Sequence, residues 1–478
     1  MRTVIIVGGG FSGAMTAVHL LNDSRAVDLR VVLVESRSQS GLGVAYSAPS
    51  PHHLLNVPAG RMSALPDVPG DFMTWLGAQN IPATPDSFVP RRLYGAYISE
   101  HLARAAGSAG QRFVSVVGQV VDLQLSPDRK SARVVLEGDR SLSGEYVVLA
   151  TGHSAPANPL AGFAAELADG TYTRDPWAID GLSRVPTNAP ILLIGAGLTM
   201  VDVAVDLHKR GQRGGLIALS RHGRLSQPQL LTHPQIEVQP PQELLAGDGR
   251  VNQVFRVVRA AIENNRRFGY DWRDTIKSLR PITAPIWRRF SFADRARFLR
   301  HLQVLWDTHR HQIPPESAEI IRDLQKRGEF QVVAGRITAV ARSSGGLRVS
   351  FRKRGSGDIA HVQVGHIVNC TGAQSDVARM SDPLVRRLLG GGLISRDPLG
   401  LGVVTAEDGS LIDAAGRPSG VLFTVGSWRK AELWESTAVP ELRKQAAELA
   451  KRLVDLSLAD AHNVRSNGHA QVVRLAAN

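Results

Sequence analysis

Cysteine is all but absent. The single thiol in 478 residues, Cys370, cannot supply a disulfide within the chain, a CxxC redox pair, or a cysteine cluster for zinc or iron-sulfur. Long apolar runs are missing as well: none approaches the ~20 residues of a membrane helix, and the opening apolar stretch is too short for a secretory signal, so a cytoplasmic enzyme with no membrane partner is expected. Acids are outnumbered by bases, 43 to 56, and only eight of those bases are lysine. The net charge of +13 attracts anions, but the arginines are scattered instead of massed on one tail or helix face, which argues against nucleic acid as the partner. No Ser-His-Asp set or carboxylate pair stands out, and His309 and His311, one residue apart, would not share a helix face, so no metal is expected. What the chain does have is apolar bulk: 43% hydrophobic residues can build two or three cored domains.

The organising stretch is VIIVGGGFSG, residues 4–13. Apolar residues running into Gly8-x-Gly10-x-x-Gly13 read as a buried parallel strand turning into a helix, whose first amides, near Phe11 and Ser12, point at a phosphate. Gly8 permits the tight turn, Gly10 lets backbone approach a pyrophosphate, and Gly13 lets the helix lie on the sheet. Glu35, with Ser36 behind it, closes the next strand, RVVLVES, about 20 residues on, where a carboxylate accepts both ribose hydroxyls of a dinucleotide. Its charge repels a 2'-phosphate, which leaves FAD or NAD.

Residues 41–67 are rich in Gly, Pro and Ser and leave a strand on the ligand side, so this loop is expected to wrap the cofactor. Asn56 and Met62 are candidates to face a flavin ring, with His53 and Tyr46 behind them; Asn56 is also the catalytic candidate. Helices are expected over residues 70–76 and 91–106, with Arg91 or Arg92 either neutralising a phosphate or simply solvated. RFVSVVGQVVDLQL, ARVVLEG and YVVLATG then read as a meander, Val120 among its cofactor contacts, feeding a parallel strand that ends at Thr151-Gly152.

The same order returns over residues 329–372, with EFQVVAGRITAVAR, LRVSFRK and HIVNCTG. Gly335 answers Gly118 and Thr371-Gly372 answers Thr151-Gly152, an internal repeat that implies two related dinucleotide units. The second unit opens with ILLIGAGLTM, where Gly195 and Gly197 are in place, Leu198 and Thr199 start the helix, and Met200 stands at the third glycine position. Its next strand, LIALS, is followed by Arg221, His222, Gly223 and Arg224 and no acid; Arg221 and Arg224 suit a 2'-phosphate. The first site thus suits FAD and the second NADPH.

The expected architecture is α/β: two Rossmann-like dinucleotide-binding domains, each with a β-meander, plus a helical insertion. Residues 1–175 begin the FAD domain, 185–227 and 329–372 form the NADPH domain, 228–328 are the insertion, 373–460 return to the FAD domain, and 461–478 are a poorly ordered tail. Within the insertion, helices are expected over residues 251–264, 292–306 and 315–327. The return segment, VLFTVGSWRKAELWESTAVPELR, gives the flavin a second amide-lined end at Gly426, with Trp434, Glu435 and Ser436 near the ring edge or substrate.

The runs GGGFSG, GVAYS, HLLNVPAGRMSALPD, FVPRRLYGAYI, LATGH, IGAGLTMVD, NCTG and WESTAVPEL together resemble a bacterial family of FAD/NAD(P)-binding proteins related to the flavin-dependent N-hydroxylating monooxygenases. They span residues 4 to about 450. The resemblance implies FAD and NADPH. Related reductases carry an aspartate directly after the glycine of the last motif; this chain has Ser427. The leading expectation is a monooxygenase: NADPH reduces FAD, oxygen adds to the reduced ring, and the peroxyflavin passes one oxygen to a small molecule, an amine or an anionic compound. An NADPH-dependent reductase without oxygenation, and a flavin-bearing sensor or binding protein, are the alternatives.

Overall fold

The runs VIIV and ILLI are apolar at every position because each becomes a strand covered on both faces. The computed structural model describes residues 1–47, 50–167, 169–178, 180–231 and 238–475, with side chains as far as residue 461. Arg2–Val7 pairs in parallel with Leu29–Glu35 on one side and Tyr146–Leu149 on the other. Phe113–Val117 and Pro418–Thr424 extend this ladder in parallel, and Ser410–Ile412 closes a six-stranded sheet as an antiparallel edge. The strand from the return segment therefore completes the first sheet, some 270 residues after its neighbour Tyr146–Leu149.

The second sheet repeats the plan. Ile191–Ile194 lies in parallel between Leu216–Ser220 and His366–Asn369, and Phe330–Ser343 continues beyond Leu216–Ser220. In the first unit the strand breaks at Gly118, and the meander Val120–Leu125, Ala132–Leu136, Ser141–Gly144 forms a separate three-stranded sheet. In the second, Phe330–Ser343 runs unbroken through Gly335 into an antiparallel ladder with Gly346–Lys353 and Ile359–Val364, bulged between Ile337 and Ala339.

Helices Phe11–Asn22 and Arg91–Ala109 and the start of Val439–Leu475 cover one face of the first sheet. Leu198–Lys209 and Pro315–Lys326 cover one face of the second. The sequence reading placed residues 315–327 in the insertion; instead Ala318, Ile321 and Leu324 pack in the core of the second unit. A parallel neighbour for Leu216–Ser220 requires a crossover, and this helix provides it. The terminal helix runs through to Leu475, across residues expected to be a tail. Residues 232–237 of the proline-rich stretch lie outside the described residues.

The remaining helices between the sheets form their own body, with a separate core around Leu279, Trp287 and Phe290. The helix expected over residues 292–306 is divided at Leu302 into Phe292–His301 and Gln303–Arg310. Leu401, and Ala431 and Trp434 from the return segment, plug into this core. No helix among the described residues is long and apolar enough to cross a membrane.

Candidate functional site

The first glycine turn is closed from both sides. Gly8 sits at φ +104°, where a Cβ would collide with the Ala150 carbonyl, and a Cβ on Gly13 would collide with the Gly8 carbonyl. Phe11–Asn22 has no side-chain cap at Gly10, so its leading amides keep their capacity for an anion. Glu35, 8% exposed, is held beside this turn: Oε2 accepts from the Gly9 amide at 2.7 Å, and Oε1 from Ser36 Oγ and the Arg37 amide at 3.1 Å each. The loop after Ser36 bends back over the turn, Gly41 donating its amide to the Gly9 carbonyl at 2.6 Å. On the far side Ser427 Oγ donates to the Gly152 carbonyl at 2.6 Å, and the Gly426 amide donates to Gln445 Oε1 at 3.1 Å, so Thr151-Gly152 and Gly426-Ser427 meet. A cradle that any Cβ would fill, an uncapped helix start and a fixed carboxylate fit the pyrophosphate and ribose of a dinucleotide.

The second turn lines a cavity of about 700 Å³ with Gly195, Gly197, Leu198 and Thr199. Arg221, Arg224 and Arg336 face the same cavity, and an adjoining one adds Arg352, Lys353 and Arg354. Among the described residues none of these six cations is paired with a carboxylate. Burial, and then the field of Arg354, Arg221 and Arg224, holds the His222 imidazole below its usual range. An unneutralised cationic cluster beside a glycine turn fits a ligand with an extra phosphate. Sequence reasoning found Arg221 and Arg224 and missed Arg336, although the repeat held the signal: Arg336 follows Gly335, where the first unit has Gln119 after Gly118.

The two units meet at a third cavity of about 330 Å³. Gly152, His153 and Ser427 come from the first unit, Gly197 and Leu198 from the second, and Asp307 and His311 from the insertion. Asp307 Oδ1 lies 3.8 Å from His311 Nε2. Desolvation raises the Asp307 carboxyl and lowers the His311 imidazole. Burial likewise lowers His153 and the ammonium of Lys430, whose Nζ stands 4.7 Å from the centre of the Trp434 ring. Neither Asp307 nor Lys430 was among the sequence candidates, because nothing in their local pattern marks them; only the insertion's return over the cleft does.

Several candidates stand elsewhere. Met62 is 2% exposed and belongs to the core under Arg91–Ala109, because its side chain turns inward with Leu55 and Ala59. Tyr46 rests against Tyr94, ring centres 4.9 Å apart. Val120 is a buried strand residue, leaving only backbone to offer a ligand. Asn56 lines none of these three cavities; its carbonyl accepts from Gln229 Nε2 at 3.2 Å. Trp434 is 5% exposed and turns into the insertion's core against Trp287 and Phe298, while Glu435 pairs with Arg310 at 2.6 Å and Ser436 is fully buried. Arg91 is neither a phosphate ligand nor solvated: its Nη2 bonds Asp202 Oδ2 at 2.7 Å and its Nε the Leu54 carbonyl at 2.9 Å, tying the first unit to the second unit's leading helix. His53 is buried beside this pair, edge-on to Trp177 at 5.2 Å, both ring nitrogens lacking a hydrogen-bond partner among the described residues.

Known proteins place this geometry. In sequence, no curated protein matches the chain. Residues 5–154 match the FAD-NAD(P)-binding family model. In structure, L-lysine 6-monooxygenase from Pseudomonas syringae is 17% identical, with 95% of this chain and 100% of that one covered and a TM-score of 0.64. The ornithine N-hydroxylase of Kutzneria sp. 744, solved with reduced FAD, NADP+ and L-ornithine, is 15% identical over 95% and 99% of the two chains, with a TM-score of 0.61. Thioredoxin reductase from Lactococcus lactis is 11% identical over 96% and 100%, with a TM-score of 0.52. Residues 5–154 are thus an FAD-NAD(P)-binding domain, and the chain has the two-unit Rossmann-like fold seen in flavin-dependent N-hydroxylating monooxygenases and in thioredoxin reductases.

Proposed function

We propose that the protein is an FAD-dependent oxidoreductase that draws electrons from NADPH and uses oxygen to hydroxylate a small molecule, most simply an amine. The observation that carries this reading is the junction cavity, which the first unit (Gly152, Ser427), the second glycine turn (Gly197, Leu198) and the insertion (Asp307, His311) line together. Bound flavin would supply the redox chemistry. The chain's own residues hold and insulate it: Gly8, Gly10 and Glu35 cradle the dinucleotide, and Arg221, Arg224 and Arg336 take the 2'-phosphate of the nicotinamide nucleotide. Asp307 and His311, 3.8 Å apart in this cavity, would be the groups able to exchange protons with a bound substrate there. Helix Gln303–Arg310 forms part of the wall of this space through Asp307. Relay through a dithiol is excluded by composition, and the lone Cys370 is buried, its thiol pushed far up by desolvation.

The test is anaerobic mixing of FAD-loaded protein with NADPH or NADH, followed by oxygen and a panel of amines. NADPH should bleach the flavin at least about tenfold faster than NADH, since a charge-assisted phosphate contact contributes roughly 1.5–3 kcal/mol. Oxygen uptake should then yield hydroxylated amine. No bleaching with either nucleotide would remove the oxidoreductase reading, and uptake that ends wholly in hydrogen peroxide would leave a reductase.

A further inference from the structure

Inside the helical insertion lies a chamber of about 500 Å³, apart from both glycine turns. Helix Val251–Arg267 explains why it exists. Val251, Val254, Phe255, Val258 and Ile262 recur at helical spacing, yet Val251 alone is fully buried; the others are half-buried and face the chamber. Four of the chain's seven tryptophans, Trp272, Trp287, Trp306 and Trp434, complete the wall. Among the described residues no carboxylate lines it.

Two further features point to a ligand. Trp434 holds φ +61°, a left-handed backbone uncommon for a large side chain, and this places its ring between Trp287 and the Lys430 ammonium. Arg259, exposed at the chamber's edge, has its guanidinium carbon 5.7 Å from the Phe255 ring and has no acidic partner among the described residues. The volume falls within the roughly 300–1,000 Å³ of small-molecule sites. Helix Gln303–Arg310 is shared with the cofactor side: Leu305, Trp306 and His309 face the chamber, and Val304, Asp307 and Thr308 face the cleft.

We propose that this chamber is a binding site for a small amphipathic anion, an aliphatic or aromatic tail bearing one carboxylate, with the tail among the tryptophans and the carboxylate at Arg259. The site stands independently of the oxygenation chemistry, and its test requires no turnover. Hexanoate, octanoate, decanoate and decanol are titrated calorimetrically into the FAD-loaded protein. One site per chain is expected, with affinity rising about three- to fourfold per added methylene, the usual gain for burying hydrocarbon. Arg259→Ala should weaken decanoate about tenfold and leave decanol unchanged. Val258→Trp, which fills the chamber, should abolish binding of both; Ile262→Trp serves if that variant fails to fold, as judged by flavin content and melting temperature. Absence of saturable heat, affinity independent of chain length, or undiminished binding by the filled variant overturns the proposal. Unchanged decanoate affinity in Arg259→Ala overturns its anionic half.

Discussion

Gly8 and Gly195 occupy the same turn at φ +104° and +118°, each pressed against the carbonyl of the residue before a Thr-Gly pair, Ala150 in one case and Cys370 in the other. Their amides make matching bonds, Gly8 to the Val34 carbonyl and Gly195 to the Leu219 carbonyl, both 2.8 Å. Around this common turn the units diverge. The first brings Glu35 against its turn and needs Gly13, because the helix backbone touches the Gly8 carbonyl. The second brings arginines and accepts Met200, fully buried in its own core. The turn is common to both units, and the charge offered after the second strand is what differs between them.

The comparison breaks most sharply at the turn. Gly8→Ala should cut the flavin-to-protein ratio more than tenfold, while Gly195→Ala keeps the flavin and loses response to NADPH; loss of flavin from both, or from neither, would mean the units are not specialised as described. Met200→Gly should cost about 4 kcal/mol of stability in denaturant unfolding, from a lost buried side chain and a glycine in a helix. A cost below about 1 kcal/mol would mean that the second helix can move in as the first does.

A pH difference comes next. The matched strand positions are Tyr146 and His366; the His366 ring is 2% exposed, its Nε2 is 2.9 Å from Thr173 Oγ, and burial lowers its pKa to about 4. Between the ordinary histidine value near 6.5 and about 4 the unfolded chain takes up a proton that the folded chain refuses, so stability falls as pH drops through that window, by at most about 3 kcal/mol. His366→Gln should flatten this slope in melting experiments, and an unchanged slope would place the acid sensitivity elsewhere. The smallest effect is in the cationic cluster: Arg221→Ala with Arg336→Ala should weaken NADPH by about 10–100-fold and NADH by less than about threefold. Equal losses would make these residues general attractors of anions.

Much of this was legible beforehand because it is local. A glycine turn must follow a strand and open a helix whatever surrounds it, and a repeat written twice announces itself; both sheets, both turns, Glu35 and Arg221 follow from that. Met62 and Trp434 were misplaced because a loop's direction is not written in its composition: one turns into the core beneath Arg91–Ala109, the other into the insertion. Helix Pro315–Lys326 was read as insertion because its apolar stripe does not say which core receives it. Arg91 looked like a helix-start cation, and only the approach of Asp202 makes it a tie between units.

By itself, then, the sequence determined two dinucleotide units in series, their order, and the charge offered after each second strand, since turn geometry and strand burial depend on neighbours in the chain. The tertiary structure alone decided that Gly152, Gly197, Asp307 and His311 share one cavity, that six cations gather at two adjoining cavities on the side of the second turn, and that the insertion forms an apolar chamber. Each of these is a meeting of residues tens to hundreds of positions apart, and such meetings are fixed by how sheets and helices pack, which no local pattern of residues encodes.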